Sequence, residues 1–239
     1  MIIKKVFKLF RIIQSPYMFR ALIKGSPAGV EHLDILDQLD CATLIDIGAN
    51  RGQFAIAARY CWPEAQIYSF EPLIGPARTL SRVFEGDDRV RLFQYAIGNK
   101  EEEALIHVSR MDDSSSLLPI SQFQDQIFPG TYEIATRKIQ SYPLDQVLNE
   151  EDIAAPAMLK IDVQGYELNV LRGSKLLLRH ILYVYVECSF LELYQGQPKA
   201  HEVIAFLHEQ GFNLSGVYNL FYTNDGKAIQ GDFLFQKSE

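Results

Sequence analysis

The chain has 239 residues, 48% hydrophobic and 22% charged, enough to build a sizeable core; disorder and fibrous repeats are excluded. Formal net charge is -7 and uneven: residues 1–30 carry six basic side chains (Lys4, Lys5, Lys8, Arg11, Arg20, Lys24) and no acid, leaving -13 on the rest. An acidic body repels phosphate backbones, so nucleic acid is not an expected ligand, and three scattered cysteines (Cys41, Cys61, Cys188) exclude a disulfide scaffold or zinc finger. Those cysteines read as reduced thiols of a cytoplasmic protein.

At the N-terminus Ile3, Val6, Phe10 and Ile13 recur at helical spacing, with Lys4, Lys8 and Arg11 on another face. The segment is too short and too charged to span a bilayer and lacks the features of a secretory signal. Two readings stay open: a basic amphipathic helix that brings residues 1–24 onto an anionic membrane surface, or a helix docked on the body or a second subunit. Residues 1–40 are expected to form a helical extension and residues 41–239 one catalytic domain. The spacing then predicts a helix over 31–39, a strand over 43–47, a helix over 53–60, a strand over 66–70 and a helix over 75–84. A strand over 90–97 and an added strand over 104–109 follow, then an irregular loop over 111–136, the kind of segment that carries function. Order resumes at 137–142, with strands at 157–163 and 181–188, helices at 167–178 and 200–210, and closing strands at 212–217 and 232–236. This alternation predicts an α/β fold with a doubly wound, mostly parallel sheet, whose ligands bind at the carboxyl ends of the strands.

The first strand ends in Asp46-Ile-Gly-Ala-Asn-Arg-Gly52 and a helix opens directly after it. Gly48 permits a sharp turn, Gly52 permits close approach to the backbone, and free amides at a helix start offer donors to a polar ligand. The second strand ends in Ser69-Phe-Glu-Pro72, where Glu71 stands at the distance from Asp46 at which dinucleotide folds place an acid for the ribose hydroxyls. The run lacks the third glycine of G-x-G-x-x-G and has an acid before the glycines. That suits the ammonium, ribose and sulfonium of S-adenosylmethionine more than a diphosphate.

Asp46-x-Gly-Ala-Asn-x-Gly52, Phe70-Glu-Pro72, Ala96-Ile-Gly98, Leu159-Lys-Ile-Asp-Val-Gln-Gly-Tyr-Glu167 and Val170-Leu-Arg-Gly173 together resemble the FkbM family of S-adenosylmethionine-dependent methyltransferases. Glu187 at a strand end and Gly211-Phe212 extend the resemblance, which covers about residue 44 to the C-terminus. It implies the Rossmann-like class I methyltransferase sheet of seven strands, the last antiparallel. It also implies that Asp46, Gly48, Asn50 and Gly52 line the methionine and sulfonium end of the cofactor, Glu71 the ribose, and Ala96 and Ile97 the adenine. Asp162 would stand beside the transferred methyl group, and Ser114–Ser116, Ser116 among them, could offer hydroxyls. Gln164 departs from the glutamate the family often shows there.

Methyl transfer from a sulfonium is an in-line displacement in which positioning supplies much of the rate, and an alcohol acceptor also needs a base. Asp162 and Glu187, ending neighbouring apolar strands, are the catalytic candidates; a second possibility is that the two carboxylates hold Mg²⁺. His107 is a minor candidate, His201 and His208 read as surface residues, and Tyr183 and Tyr185 read as core. The expected function is O-methylation of a sugar, glycan or secondary-metabolite hydroxyl. The rivals are an NAD-dependent oxidoreductase on a similar sheet and a non-catalytic membrane-associated binding module. The oligomeric state is not legible.

Overall fold

The computed structural model describes residues 2–238, with side chains from Phe7 onward. The side chains of Ile3, Lys4 and Val6, on which part of the amphipathic pattern rests, lie outside the described residues. Helices α1 (Ile2–Gln14) and α2 (Pro16–Ile23) open the chain, followed by the short α3 (Leu33–Leu36). The Ser15 hydroxyl caps α2 by accepting from the Met18 amide, and Pro16 takes the first helical position, where no amide is needed. Strand and helix then alternate: β1 (Thr43–Ile47), α4 (Gln53–Cys61), β2 (Gln66–Phe70), α5 (Ile74–Val83) and β3 (Val90–Phe93). An excursion of β4 (Ala96–Ile97), β5 (Glu102–Ser109), α6 (Gln122–Ile127) and β6 (Glu133–Tyr142) precedes the return to β7 (Ala157–Ile161), α7 (Glu167–Arg172), β8 (Tyr183–Ser189), α8 (Ala200–Glu209), β9 (Phe212–Tyr222) and β10 (Ala228–Lys237).

The main sheet has the order β3-β2-β1-β7-β8-β10-β9, parallel from β3 to β8, with β10 antiparallel to both its neighbours. This is the doubly wound, seven-stranded sheet that the pattern of elements predicts, and the strand order reverses beside β1. A second sheet, β4-β6-β5, is built from the excursion. The segment expected as one strand over 90–97 is thus two strands in two sheets. Part of the expected irregular loop over 111–136 is ordered as α6 and the start of β6. The helix expected over 167–178 stops at Arg172, and at the next residue the backbone of Gly173 runs against that of Gly98: a Cβ at Gly173 would meet the Gly98 carbonyl at 1.8 Å.

Alternation along the strands assigns the two faces. Ile45, Ile47, Leu159, Ile161, Val184 and Val186 pack under α7 and α8, whereas Leu44, Met158, Tyr185 and Leu234 pack with α4 and the N-terminal helices. Ile12, Met18, Ala21 and Val30 are buried in the second cluster, so the N-terminal segment covers one face of the sheet. Among the described side chains of α1 the buried one is Ile12, while Phe10 and Ile13, read from the sequence as part of the apolar stripe, are exposed. Lys8 and Arg11 turn toward the body and pair with Glu31 and Asp34, each at 2.9 Å.

Arg59 of α4 fastens the periphery. Its buried guanidinium donates to the carbonyls of Pro63 (3.0 Å) and Ala65 (2.6 Å) and pairs with Asp87 at 2.9 Å. Truncating it leaves those acceptors and a carboxylate unpaired in a half-buried site. Arg59→Ala is expected to lower unfolding stability by about 3 kcal/mol in a urea titration.

Candidate active site

The carboxyl ends of β1, β2 and β7 surround a cavity of about 260 Å³, closed on the other sides by residues 29–32, β4 and the segment after β5. Its shape follows from three tight turns. After β1, Gly48 has φ +76 and lies so close to the end of β7 that a Cβ there would sit 1.8 Å from the Asp162 carbonyl. The Gly48 and Ala49 amides donate to the Phe70 carbonyl of β2, and the chain turns again at Asn50, φ +47, where asparagine tolerates the left-handed conformation. After β7, Gln164 (φ +55) and Gly165 (φ +99) make a left-handed pair that aims Gln164 back across the strand ends.

Glu71 stands at the centre of the first wall. It is 5% exposed, Oε2 accepts from the Asn50 amide at 2.9 Å and Oε1 from the Leu73 amide at 2.7 Å. Burial pushes its pKa up to about 7, against the lowering effect of those two amides. Each oxygen keeps a lone pair, and the residue lines the cavity beside the apolar Ala96 and Ile97. A carboxylate so held fits the diol of a ribose, and the apolar wall next to it fits a purine; the site's donor and acceptor set suits S-adenosylmethionine.

Of the residues singled out in the sequence, Gly48, Asn50, Glu71, Ala96, Ile97, Ser116 and Asp162 line this cavity, while Asp46, Gly52 and Glu187 do not. Asp46 is completely buried below it and meets the Lys160 ammonium at 3.2 Å, an ion pair whose angles are poor for a hydrogen bond. The cation that faces Asp46 in this structure is Lys160. Lys160 also donates to the Gly48 carbonyl at 3.2 Å and stands 3.7 Å from Asp162. Burial disfavours its charge, but the Asp46 and Asp162 carboxylates outweigh burial and hold the ammonium protonated. Gly52 instead faces Phe84 and Leu80, where it lets α4 pack on α5. Ser116 keeps its place on the wall but spends its proton on the Gln164 carbonyl at 2.6 Å.

Behind the cavity, the Gln164 side-chain amide donates to both Asp162 Oδ1 and Glu187 Oε2 at 2.7 Å. Gln230 supplies Glu187 Oε1 at 2.8 Å, and the Tyr194 hydroxyl lies 2.8 Å from Gln164 Oε1 and 3.0 Å from the Ser114 carbonyl. Burial first, then the Asp162, Asp232 and Glu167 carboxylates, raise the Glu187 pKa well above the ordinary range. The gap in which a Mg²⁺ ion would bridge Asp162 and Glu187 is filled by this amide, and among the described residues no group of three or more His, Cys, Asp or Glu side chains could hold a metal. His107 pairs with Glu133 on the second sheet and does not reach the cavity.

Sequence reasoning passed over His32. It lies outside every motif, yet the docking of residues 28–36 on α4 brings its ring to the cavity wall, 5.0 Å from Phe54 and 5.7 Å from Tyr185 between ring centroids. No spacing rule links it to the strand ends; only the packing does.

The chain is similar to known methyltransferases. Over 207 residues the chain is 30% identical to the 2-O-methyltransferase NoeI of Sinorhizobium fredii, covering 82% of this chain and 79% of that one. It is 28% identical over 151 residues to the hexuronic acid methyltransferase AglP of Haloferax volcanii, covering 60% of this chain and about half (54%) of the relative. Among solved structures, the precorrin-6y methyltransferase of Geobacter metallireducens superposes with a TM-score of 0.47 at 11% identity, over 86% of each chain. The methyltransferase FkbM domain matches residues 46–214, a span that holds the ends of β1, β2 and β7 and most of the cavity wall, and the chain belongs to that methyltransferase family.

Proposed function

We propose that this methyltransferase carries a methyl group from S-adenosylmethionine to a hydroxyl of a sugar or glycan. The observation that carries the cofactor reading is Glu71, a buried carboxylate fixed by two backbone amides with lone pairs turned to a cavity whose next wall is apolar. The acceptor reading is supported by two relatives whose names specify 2-O-methylation and a hexuronic acid, and by Gln53, Asp112 and Asp113 on the cavity wall, groups that hydrogen-bond to polyols. When bound, the cofactor supplies an electrophilic methyl carbon on a sulfonium. Gly48 and Asn50 shape the turn around its amino-acid end, Glu71 accepts from the ribose hydroxyls, and Ala96 and Ile97 flank the base. Asp162 presents a carboxylate to the acceptor region. Glu187, off the cavity, acts through Gln164, which holds Asp162 in position.

The outer face of the N-terminal helices supports peripheral contact with an anionic membrane. Phe7, Phe10, Ile13 and Ile23 are 62%, 59%, 54% and 72% exposed, in a stretch of six basic residues and no acid, of which Lys8 and Arg11 are paired with Glu31 and Asp34 of the body. No described helix is long and apolar enough to cross a membrane. Replacing Phe10, Ile13 and Ile23 together by serine is expected to abolish flotation with phosphatidylglycerol vesicles while leaving the melting temperature unchanged.

Transfer of radiolabelled methyl from S-adenosylmethionine to a panel of free sugars and uronic acids tests the reaction. Label is expected in an O-methyl sugar, and label confined to non-sugar acceptors would overturn the acceptor reading. Because a neutral Glu71 loses an acceptor for the diol, cofactor affinity is expected to rise as the group ionises, by roughly tenfold between pH 6 and pH 8. Calorimetric titration of Glu71→Gln is expected to give weaker binding and a flat profile. Gln164→Leu, which frees Asp162 and Glu187 from their shared donor, is expected to lower kcat by roughly tenfold to a hundredfold with little change in cofactor affinity.

A further inference from the structure

We propose that His32 is the general base of the reaction, taking the acceptor's hydroxyl proton on Nε2 while a Tyr185–Asp232 relay holds the ring from behind. This inference rests on the methyl-transfer reading above and assigns a role to a residue from the segment before the family domain.

The relay is fixed by counting protons. The Asp232 carboxylate receives the Tyr185 hydroxyl at 3.2 Å and the Asn219 amide at 2.8 Å, both on Oδ2. Tyr185 has one proton and two neighbours at 3.2 Å, of which the Asp232 carboxylate is charged and the stronger acceptor, so in the proposed relay the hydroxyl faces His32 Nδ1 with a lone pair. That arrangement places the imidazole proton on Nδ1, with Asp232 itself 3.6 Å behind, and leaves Nε2 as a bare lone pair. Asn219 spends one amide proton on Asp232 at 2.8 Å, and its nitrogen is 3.4 Å from Nδ1, farther than the Tyr185 oxygen, which is therefore the nearer partner of that ring nitrogen. It adopts φ +48 at an irregularity of the β9–β10 ladder, where asparagine tolerates the left-handed conformation and the bulge re-aims its side chain. Among the described residues Nε2 has no hydrogen-bond partner, and the ring lines the same cavity as Asp162.

The charges around the ring come from every packed element: Glu31 beside it, Asp232 on β10, and Lys160 and Asp162 at the end of β7. Burial lowers its pKa more than Asp232 and Glu31 raise it, so the imidazole is neutral at neutral pH and free to accept a proton. Burial, then Asp232, raise the Tyr185 pKa far above 10, which keeps the relay's hydroxyl protonated. In the step itself the O–H bond breaks and its proton goes to Nε2. The oxygen's electron pair forms the bond to the methyl carbon, and the pair of the C–S bond stays on sulfur. Imidazolium is stabilised by Asp232 through the hydroxyl, the pattern of an oriented base. The two carboxylates favoured by the sequence serve less well. Glu187 is off the cavity, and Asp162 is already engaged by Gln164 and Lys160.

Two readouts test this. Nitrogen-15 NMR of the full chain, with the His32 signal assigned by its loss in His32→Gln, is expected to show a pyrrole-type Nδ1 and a pyridine-type Nε2 at pH 7.5, with Tyr185→Phe producing a tautomer mixture. On an acceptor methylated by the wild type, His32→Gln is expected to lower kcat by roughly 10²–10⁴-fold with cofactor affinity retained, and Tyr185→Phe by roughly tenfold. Imidazole is expected to restore part of the rate to His32→Ala. An Nε2-protonated tautomer in the wild type, or a folded His32→Gln within threefold of wild-type kcat, would overturn the proposal. The predicted tautomer in a protein that binds the cofactor yet methylates no sugar would support the oriented ring and overturn the acceptor reading instead.

Discussion

A buried cation in the middle of a parallel sheet is the constraint around which this molecule is arranged. Lys160 sits on β7 directly opposite Asp46 of β1 in the strand register, and its ammonium reaches Asp46, Asp162 and the Gly48 carbonyl. An isolated charge there would cost several kcal/mol, so the two acids and the turn after β1 must sit where they do. The same register continues outward, with Tyr185 opposite Lys160 and Asp232 opposite Glu187, which places a row of polar groups on one face of the sheet near its carboxyl ends. A polar row on a sheet face needs a cover with matching groups, and residues 28–36, with His32 among them, provide it.

Close backbone approach sets the second limit. At Gly48 the turn after β1 abuts β7, and at Gly173 the end of α7 abuts the start of the excursion, each leaving no room for a Cβ. These two contacts hold the cavity floor and the small β4-β6-β5 sheet against the main sheet, so the apolar Ala96 and Ile97 come to face Glu71. The segment after β5 is then tied down from the other side, by Ser116 on the Gln164 carbonyl and Tyr194 beside the Ser114 carbonyl. Gln164 links the segment after β5 to the cavity-lining Asp162 and to Glu187 behind it, and its amide supplies donors where a third carboxylate would add repulsion.

Much of this was legible in the residues alone. Periodicity located the strands and helices of the main sheet, and the turn glycine Gly48 with the strand-end acid Glu71 pointed to the end of the sheet where the cavity lies. The motif set identified the methyltransferase family, and Asp162, Asn50, Ala96 and Ile97, all singled out by it, line one cavity. Their spacing along the chain is local to strand ends, and strand ends of a doubly wound sheet converge by topology.

What the tertiary structure decided is which polar groups meet. Asp46 read as a ligand-binding acid and is the partner of Lys160; Glu187 read as a base and is held behind Gln164; Tyr185 read as core and is also a hydroxyl between His32 and Asp232. Strand alternation gives the face a side chain points to, but not the neighbour it finds there, because that depends on cross-strand register and on what packs over the sheet. His32 illustrates the limit: 14 residues before Asp46 in a helical segment without a motif, it acquires its place only when the N-terminal helices dock to bury Ile12, Met18 and Val30. Sequence by itself therefore determined the fold and the chemistry class, through local periodicity and turn geometry, while long-range burial determined the electrostatics of the site.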